Sequence, residues 1–215
     1  WCVDSQFSWR PALHLGGHKS FMITSAYENE GKSSVAANLA LALAKNGHKV
    51  VLVDADFNKP AVFKIFDLDG SKSLNKAIEG TSSWSSQIVS DRSGLDLLPC
   101  SQDTLKSEIL TNSKKLDEIM KELREEYDFV IVDTSPAYLL NETMAMNELV
   151  DATLFVVRQD YATSDVINET VKHLTYVKDN VLGVVFKNVV SEGNKGTNNY
   201  NNRYGYNKYR VRGDK

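Results

Sequence analysis

The sequence predicts an α/β fold, in which helices flank a doubly wound and mostly parallel β-sheet. Short apolar runs rich in β-branched residues alternate with longer stretches of helical periodicity, as they do in successive βαβ units. The apolar runs are continuous, without regular polar alternation, which is typical of strands buried on both faces of a parallel sheet. A chain of 215 residues is long enough to bury one such core.

The elements follow one another in the order that this fold requires. A strand at 21–24 runs into a polar loop and then into an Ala- and Leu-rich helix at 34–45, which Gly47 terminates. Further strands are predicted at 49–53, 95–99, 129–132, 152–157 and 181–186, and further helices around 116–123 and 164–179. Ligands of such sheets bind at the carboxyl ends of the strands, so we expect the site in the loops that follow them.

We expect one main domain at residues 20–190. Residues 1–19 show neither strand nor helix periodicity and are interpreted as a poorly defined lead-in. Residues 191–215 carry six basic and two acidic residues in a chain of net charge −3, and we expect this tail to be disordered. Cys2 and Cys100 lack a metal-ligand spacing, and no apolar run is as long as a membrane span. These features predict a soluble cytoplasmic protein with reduced thiols.

The loop after the first strand ends in Gly-Lys-Ser, the pattern of a phosphate-binding loop in P-loop NTPases. In such a loop the backbone N–H groups wrap the phosphates, Lys32 would reach the outer phosphates, and the Ser33 hydroxyl would hold Mg²⁺. Ala26 stands where the first glycine of the motif is usual. The alternative is a surface turn with an incidental lysine. The predicted nucleotide-binding residues are Ala26, Glu28, Asn29, Glu30, Gly31, Lys32, Ser33 and Ser34.

Three aspartates follow the ends of two predicted strands. Asp133 would hold Mg²⁺ directly or through water, since this hard cation takes oxygen ligands and keeps several waters. Asp54 and Asp56 leave their strand two residues apart. Together they could bind Mg²⁺, with Asp56 as the ligand, and accept a proton from an attacking hydroxyl. The alternative is that these aspartates only cap the turns that follow the strands.

Tyrosines are concentrated at the end of the chain. Four of the nine fall within the last 16 residues, where an even spread would give about 0.7. They are interleaved with Asn, Gly and basic residues. The tail alone favours an adhesive low-complexity segment, whereas the upstream motifs favour a set of phospho-acceptors. The acceptor candidates are Tyr200, Tyr204, Tyr206 and Tyr209.

As a set, these motifs resemble those of the bacterial tyrosine kinase (BY-kinase) family of capsular and exopolysaccharide biosynthesis. The family pattern is [AG]-x4-G-K-[ST], then three apolar residues and D-x-D-x-R, then apolar residues and D-[ST]-P, then a C-terminal tyrosine cluster. Here the four motifs read AYENEGKS, VLVDADFN, FVIVDTSP and YNNRYGYNKY, and the resemblance covers about residues 20–210.

The chain departs from the family pattern at several positions. Asn58 replaces the arginine of the second motif and is followed by Lys59, which carries a charge but lacks the planar fork of arginine. Ser135 replaces the first of two prolines that are common in the third motif. Lys187 stands where relatives carry an asparagine after the last strand. The family's E-x-x-R-x-x-R helix is not found in residues 1–20.

The resemblance implies an ATP- and Mg²⁺-dependent protein-tyrosine kinase that autophosphorylates its tyrosine cluster in trans and regulates capsular and extracellular polysaccharide synthesis and export. Lys32, Asp54 and Asp56 would be catalytic, and Ser33, Asp56 and Asp133 would hold the metal. Implied partners are a transmembrane activator of the polysaccharide co-polymerase type, acting through its cytoplasmic tail, further copies of this chain, and a tyrosine phosphatase. The activator would place the chain peripherally at the inner face of the cell membrane, and no nucleic acid is expected.

A second interpretation is a positioning ATPase of the ParA/MinD type, which shares the fold and acts as a nucleotide switch. Those proteins resemble K-G-G-x-G-K-[ST], in which the first lysine reaches the phosphate of a dimer partner. Tyr27 occupies that position here. The tyrosine cluster and the lack of a terminal amphipathic helix also favour the kinase.

Overall fold

The sheet lies at the centre of the computed structural model, which describes residues 17–101, 114–138 and 141–188. Its strands are β1 (Ser20–Ser25), β2 (Val50–Ala55), β3 (Val89–Ser90), β4 (Asp96–Leu98), β5 (Phe129–Thr134), β6 (Ala152–Arg158) and β7 (Val181–Lys187). They are arranged in the order β3-β4-β2-β5-β1-β6-β7. Every neighbouring pair is parallel except β3 and β4, which pair antiparallel at one edge.

Helices connect the strands on both sides of the sheet. They are α1 (Lys32–Lys45), α2 (Val62–Ile65), α3 (Leu74–Ile78), α4 (Lys114–Glu126), α5 (Asn141–Leu149) and α6 (Ser164–Val177), with a 3-10 turn at Trp84–Gln87. A mostly parallel sheet flanked by helices is the fold that the sequence predicts, and the prediction is confirmed.

Each face of the sheet has its own hydrophobic core, because successive side chains of a strand point to opposite faces. Ile23 and Ile131 pack with Leu39 of α1 on one face. Met22 and Val132 pack on the other face, among the buried side chains of α3, α4, α5 and α6. The central strands β1, β2 and β5 are buried along their whole length, which explains why they read as continuous apolar runs.

The boundaries differ from the predicted ones mainly at the functional edge. Helix α1 begins at Lys32, two residues earlier than predicted, and β2 and β5 continue through Asp54 and Asp133. The segment between β2 and β4 contains two short helices that were not predicted, since four or five residues are too few to show a period.

Some predictions fall outside the described residues. The acceptor tyrosines and most of the lead-in belong to residues 189–215 and 1–16, so the division of the chain into lead-in, domain and tail stays a prediction. Among the helices that are described, none is long and apolar enough to cross a membrane.

The packing of α1 leads to a stability prediction. Leu39 is fully buried between α1 and the sheet, whereas Leu41 of the same helix is only partly buried. Leu39→Ala should lower the free energy of unfolding by about 2–5 kcal/mol, through lost burial and the cavity left behind. Leu41→Ala serves as the matched control and should cost less than half as much. Urea denaturation measures both, and equal losses would contradict the described packing.

Candidate functional site

The carboxyl ends of β1, β2 and β5 meet at one edge of the sheet. Asp133 of β5 lies in register with Ile23 of β1 on one side and with Asp54 of β2 on the other. The β1–α1 loop, the end of β2 and the end of β5 are therefore neighbours. The sequence predicted its site residues on these three segments, and the fold brings the segments together.

The β1–α1 loop is held in shape by contacts within it. The Glu30 carboxylate is buried and accepts a hydrogen bond from the Tyr27 N–H at 2.7 Å. The Ser25 hydroxyl donates to the Tyr27 carbonyl at 2.6 Å. Asn29 and Gly31 both adopt positive φ angles, 62° and 93°. Gly31 suits this turn because a residue without Cβ reaches the left-handed region without strain.

The loop leads into α1 at Gly31, which provides no side-chain cap for the start of the helix. Gly31 is the N-cap residue and offers no side-chain acceptor, and no acidic residue lies in the first turn. Uncapped N–H groups and the positive end of the helix dipole attract anions. The local structure is the one that a phosphate cradle requires.

Lys32 places its ammonium group between two carboxylates. The Nζ atom lies 2.6 Å from Asp56 Oδ2 and 3.9 Å from Asp133 Oδ1, and only 8% of the residue is exposed. Burial acts to lower the pKa of Lys32, but the negative charges of Asp133 and Asp56 outweigh it, and the pKa is raised. The lysine is therefore fully charged at neutral pH and held at the mouth of the loop.

Asp133 is fully buried, and neither of its carboxylate oxygens accepts a hydrogen bond from the described residues. Burial raises its pKa to about 6, although the Lys32 ammonium acts in the opposite direction. A buried carboxylate with unused oxygens, next to the Ser33 hydroxyl, fits Mg²⁺. The described residues contain no cluster of three or more His, Cys, Asp or Glu side chains arranged for a metal.

Asp54 points to the backbone that follows β2. One oxygen accepts hydrogen bonds from the N–H groups of Ala61 and Val62, both at 2.9 Å, and the other accepts from the Asp56 N–H at 3.2 Å. Burial, with the nearby Asp133 charge, raises its pKa to about 8. In this geometry Asp54 holds the segment that carries Asp56 in place. For Asp54, this is in part the alternative interpretation, in which the aspartate caps the turn that follows its strand.

Asp56 is the centre of a hydrogen-bonded network. Besides Lys32, its carboxylate accepts from the Lys59 N–H at 3.0 Å and from the Ser135 hydroxyl at 2.7 Å. The Asn58 amide donates to the same Ser135 hydroxyl oxygen at 3.3 Å. The two departures from the family pattern, Asn58 and Ser135, are thus in contact. The side chain of Lys59 forms a separate ion pair with Glu28 of the phosphate loop at 2.5 Å.

Three residues that sequence reasoning did not assign also lie at this edge. Ser135 joins the end of β5 to Asp56. Arg158, at the end of β6, donates to the Asn29 carbonyl at 3.4 Å, and Lys187, at the end of β7, passes over Gly31. The sequence feature that could have identified these three residues is their position at the carboxyl ends of predicted strands. The predicted acceptor tyrosines lie outside the described residues.

Comparisons with known proteins identify relatives of this chain. The model of the AAA domain family AAA_31 matches residues 26–183. The tyrosine-protein kinase YwqD of Bacillus subtilis is 32% identical over 78% of this chain and 71% of its own length. The succinoglycan biosynthesis transport protein ExoP of Rhizobium meliloti is 31% identical over 92% of this chain, which spans only 26% of that protein.

Solved structures with a similar fold are also found. The crystal structure of the chimerical protein CapA2B2 superposes with a TM-score of 0.79 at 27% identity, over 83% of this chain and 80% of its own. The Mg-ADP complex of the septum site-determining protein MinD from Pyrococcus horikoshii superposes with a TM-score of 0.68 at 24% identity, over 78% of this chain and 69% of its own. The positioning ATPases are thus a distant relation in fold alone.

The buried charge of Asp133 leads to a prediction on pH dependence. A carboxyl group whose pKa is raised by folding stabilises the protein at low pH, and this contribution is lost as the pH rises through the folded-state value. The free energy of unfolding should therefore fall between about pH 4 and pH 6 through Asp133, and towards pH 8 through Asp54. Asp133→Asn removes the buried charge together with its 3.9 Å contact to Lys32. Because burial outweighs that contact in the pKa of Asp133, the substitution should raise stability at pH 8 by roughly 1–3 kcal/mol.

Urea denaturation at pH 5 and pH 8, without nucleotide or Mg²⁺, measures this effect. The exposed Asp179→Asn is the control and should leave the profile of the wild type unchanged. A loss of stability in Asp133→Asn at pH 8 would contradict the inference that burial of this carboxylate outweighs its contact with Lys32.

Proposed function

The chain belongs to the bacterial tyrosine-protein kinase family, and on this basis we propose that it transfers the γ-phosphoryl group of ATP to tyrosines of its own tail. The observation that carries the proposal is the Lys32 ammonium, held between Asp56 and Asp133 at the mouth of an uncapped phosphate loop. Phosphoryl transfer depends mainly on positioning and on neutralising charge, and this edge of the sheet supplies both.

Each side chain at the edge has a part in the proposed reaction. The loop from Ala26 to Ser34 and the Lys32 ammonium bind the β- and γ-phosphates. Asp133, with the Ser33 hydroxyl and Asp56, holds Mg²⁺, which when bound draws charge from the phosphate oxygens. The unused oxygens of Asp133 support this assignment.

The tyrosine hydroxyl attacks the γ-phosphorus, the bond to the bridging oxygen breaks, and ADP leaves. The hydroxyl proton passes to one of the two aspartates at the carboxyl end of β2, Asp54 or Asp56. We favour Asp56 over Asp54 for this step, because the Asp56 carboxylate contacts Lys32, whereas Asp54 accepts three backbone hydrogen bonds away from it. Asp54 then contributes by fixing the segment that carries Asp56.

The proposed acceptors are Tyr200, Tyr204, Tyr206 and Tyr209. Tyr200 follows Asn188 by 12 positions, so the chain between them spans at most about 40 Å when extended. A span of this order would allow a tail tyrosine to enter the site of a neighbouring copy. We propose transfer between subunits on this basis. Several phosphates at roughly −1.5 to −2 charges each would turn a basic tail acidic and alter self-association.

The proposed biological role is control of capsular and extracellular polysaccharide synthesis and export. The name of ExoP, a succinoglycan biosynthesis transport protein, supports this role. The proposed partners are a membrane-protein activator that docks through its cytoplasmic tail and a phosphatase that reverses the modification. The activator would hold the chain at the inner face of the cell membrane.

Autophosphorylation is tested by incubating the purified chain with Mg-ATP and mapping phosphate by mass spectrometry. We expect phosphotyrosine within residues 200–209, and Lys32→Met should lower the rate about 100-fold or more, because it removes charge from the transition state. Lys121→Met removes an exposed, distant lysine and should label like the wild type. Absent phosphotyrosine, or full labelling in Lys32→Met, would refute the proposal. ATP hydrolysis stimulated by DNA or lipid, without phosphotyrosine, would favour the positioning ATPase.

A size measurement tests the effect of the modification. Light scattering of the chain before and after incubation with Mg-ATP should report a change in oligomer mass, because the charge of the tail is reversed. The Lys32→Met variant, treated in the same way, should keep its mass. An unchanged mass in a chain shown to be phosphorylated would contradict the proposed switch.

A further inference from the structure

A second ammonium group lies against the phosphate loop. Lys187 is the last residue of β7, and its side chain crosses over Gly31. A Cβ atom built on Gly31 would lie 2.3 Å from Lys187 Nζ and 2.8 Å from its Cδ. Gly31 therefore serves two purposes: it permits the left-handed turn, and it leaves space for this lysine.

The two lysines approach the loop from different sides of β1. Lys32 turns towards β2 and β5, where it contacts Asp56 and Asp133. Lys187 comes from β7, which lies beyond β6 on the opposite side of β1 in the sheet. An anion seated in the loop would thus meet a positive charge from each side.

Lys187 is partly buried, yet its ammonium forms no ion pair with any described carboxylate. Arg158, the residue paired with Lys187 on β6, does have partners. The Arg158 guanidinium donates a hydrogen bond to the Asn29 carbonyl and lies 5.0 Å from the centre of the Tyr161 ring. Glu30 is the acidic residue that directly precedes Gly31 in the loop. It is buried, and its carboxylate accepts a hydrogen bond from the Tyr27 N–H. The lysine therefore supplies a positive charge that the described residues leave unneutralised.

The position of Lys187 is fixed by the backbone. Its carbonyl accepts a hydrogen bond from the Gln159 N–H at 3.1 Å, and it pairs in register with Arg158 of β6. A lysine anchored at a strand end loses less freedom on meeting a ligand than one on a mobile loop would. The pairing of β7 with β6 therefore holds the Lys187 backbone at a position from which its side chain crosses Gly31.

We propose that Lys187 is a second phosphate-binding lysine, which contacts the polyphosphate chain of the nucleotide from the β7 side of the loop. The inference rests on the proposed function for its ligand, a nucleoside triphosphate. It goes beyond that function in assigning a charge contact with the phosphate chain to the end of β7. Part of the nucleotide affinity then comes from the phosphate chain, independently of the base.

Calorimetric titration tests the proposal with two probes, MgATP and magnesium tripolyphosphate, which has the phosphate chain but no base. Lys187→Met keeps most of the aliphatic stem and removes the charge, and Lys187→Arg keeps the charge. Lys172→Met, on the exposed surface of α6, is the matched control. The thermal denaturation midpoint of each variant establishes that it is folded, and Lys187→Gln replaces Lys187→Met should the latter fail to fold.

We expect Lys187→Met to lower the affinity for both probes by the same factor of about 10 or more, which is equivalent to about 1.4 kcal/mol of binding free energy. Lys187→Arg should stay within about threefold of the wild type, and the difference between the methionine variant and the wild type should shrink as salt is added. Lys172→Met should bind both probes as the wild type does.

Three results would overturn the inference while leaving the proposed function intact. These are unchanged affinity for both probes, weakened binding of MgATP with unchanged binding of tripolyphosphate, and tighter binding in Lys187→Met. The second would mean a contact to the base or sugar, and the third would mean that the lysine blocks the loop. A wild-type chain that binds no nucleotide at all would instead contradict the proposed function itself.

Discussion

The whole site depends on one imbalance of charge. A single ammonium, that of Lys32, faces three buried carboxylates at the ends of two adjacent strands, Asp54, Asp56 and Asp133. Burying ionised groups without full compensation is costly, and the cost appears as the raised pKa values of Asp54 and Asp133. A divalent cation would offset the negative charge of the carboxylates, and a phosphate chain would offset the positive charge of Lys32. The edge of the sheet that carries this electrostatic cost is therefore suited to a metal–nucleotide complex.

The imbalance is maintained by the most ordinary part of the structure, the parallel pairing of buried strands. Asp54 and Asp133 are register partners in β2 and β5, so the sheet holds the backbone positions that carry the two carboxylates side by side. Backbone N–H groups then tie Asp54 to the start of α2. Hydrophobic burial on both faces of the sheet provides the stability against which the electrostatic cost is set.

The sequence was sufficient to predict the fold and the main residues at its edge, because buried parallel strands and a phosphate loop leave strong local patterns. Asp133 and Lys32 were identified from strand ends and a short motif. The different surroundings of Asp54 and Asp56 were not, since the partners of Asp54 are backbone groups at Ala61 and Val62, and no residue type encodes them. The position of Lys187 was equally hidden, because it depends on the place of β7 in the sheet.

Lys187 also stands where the described chain leaves the sheet, one residue before its last described position. The segment that leads to the tyrosine cluster therefore begins beside the candidate nucleotide site. A tether of this length gives an effective concentration in the millimolar range at any site within its span. In the proposed transfer between subunits, the way in which two copies meet would then decide which site a given tyrosine reaches.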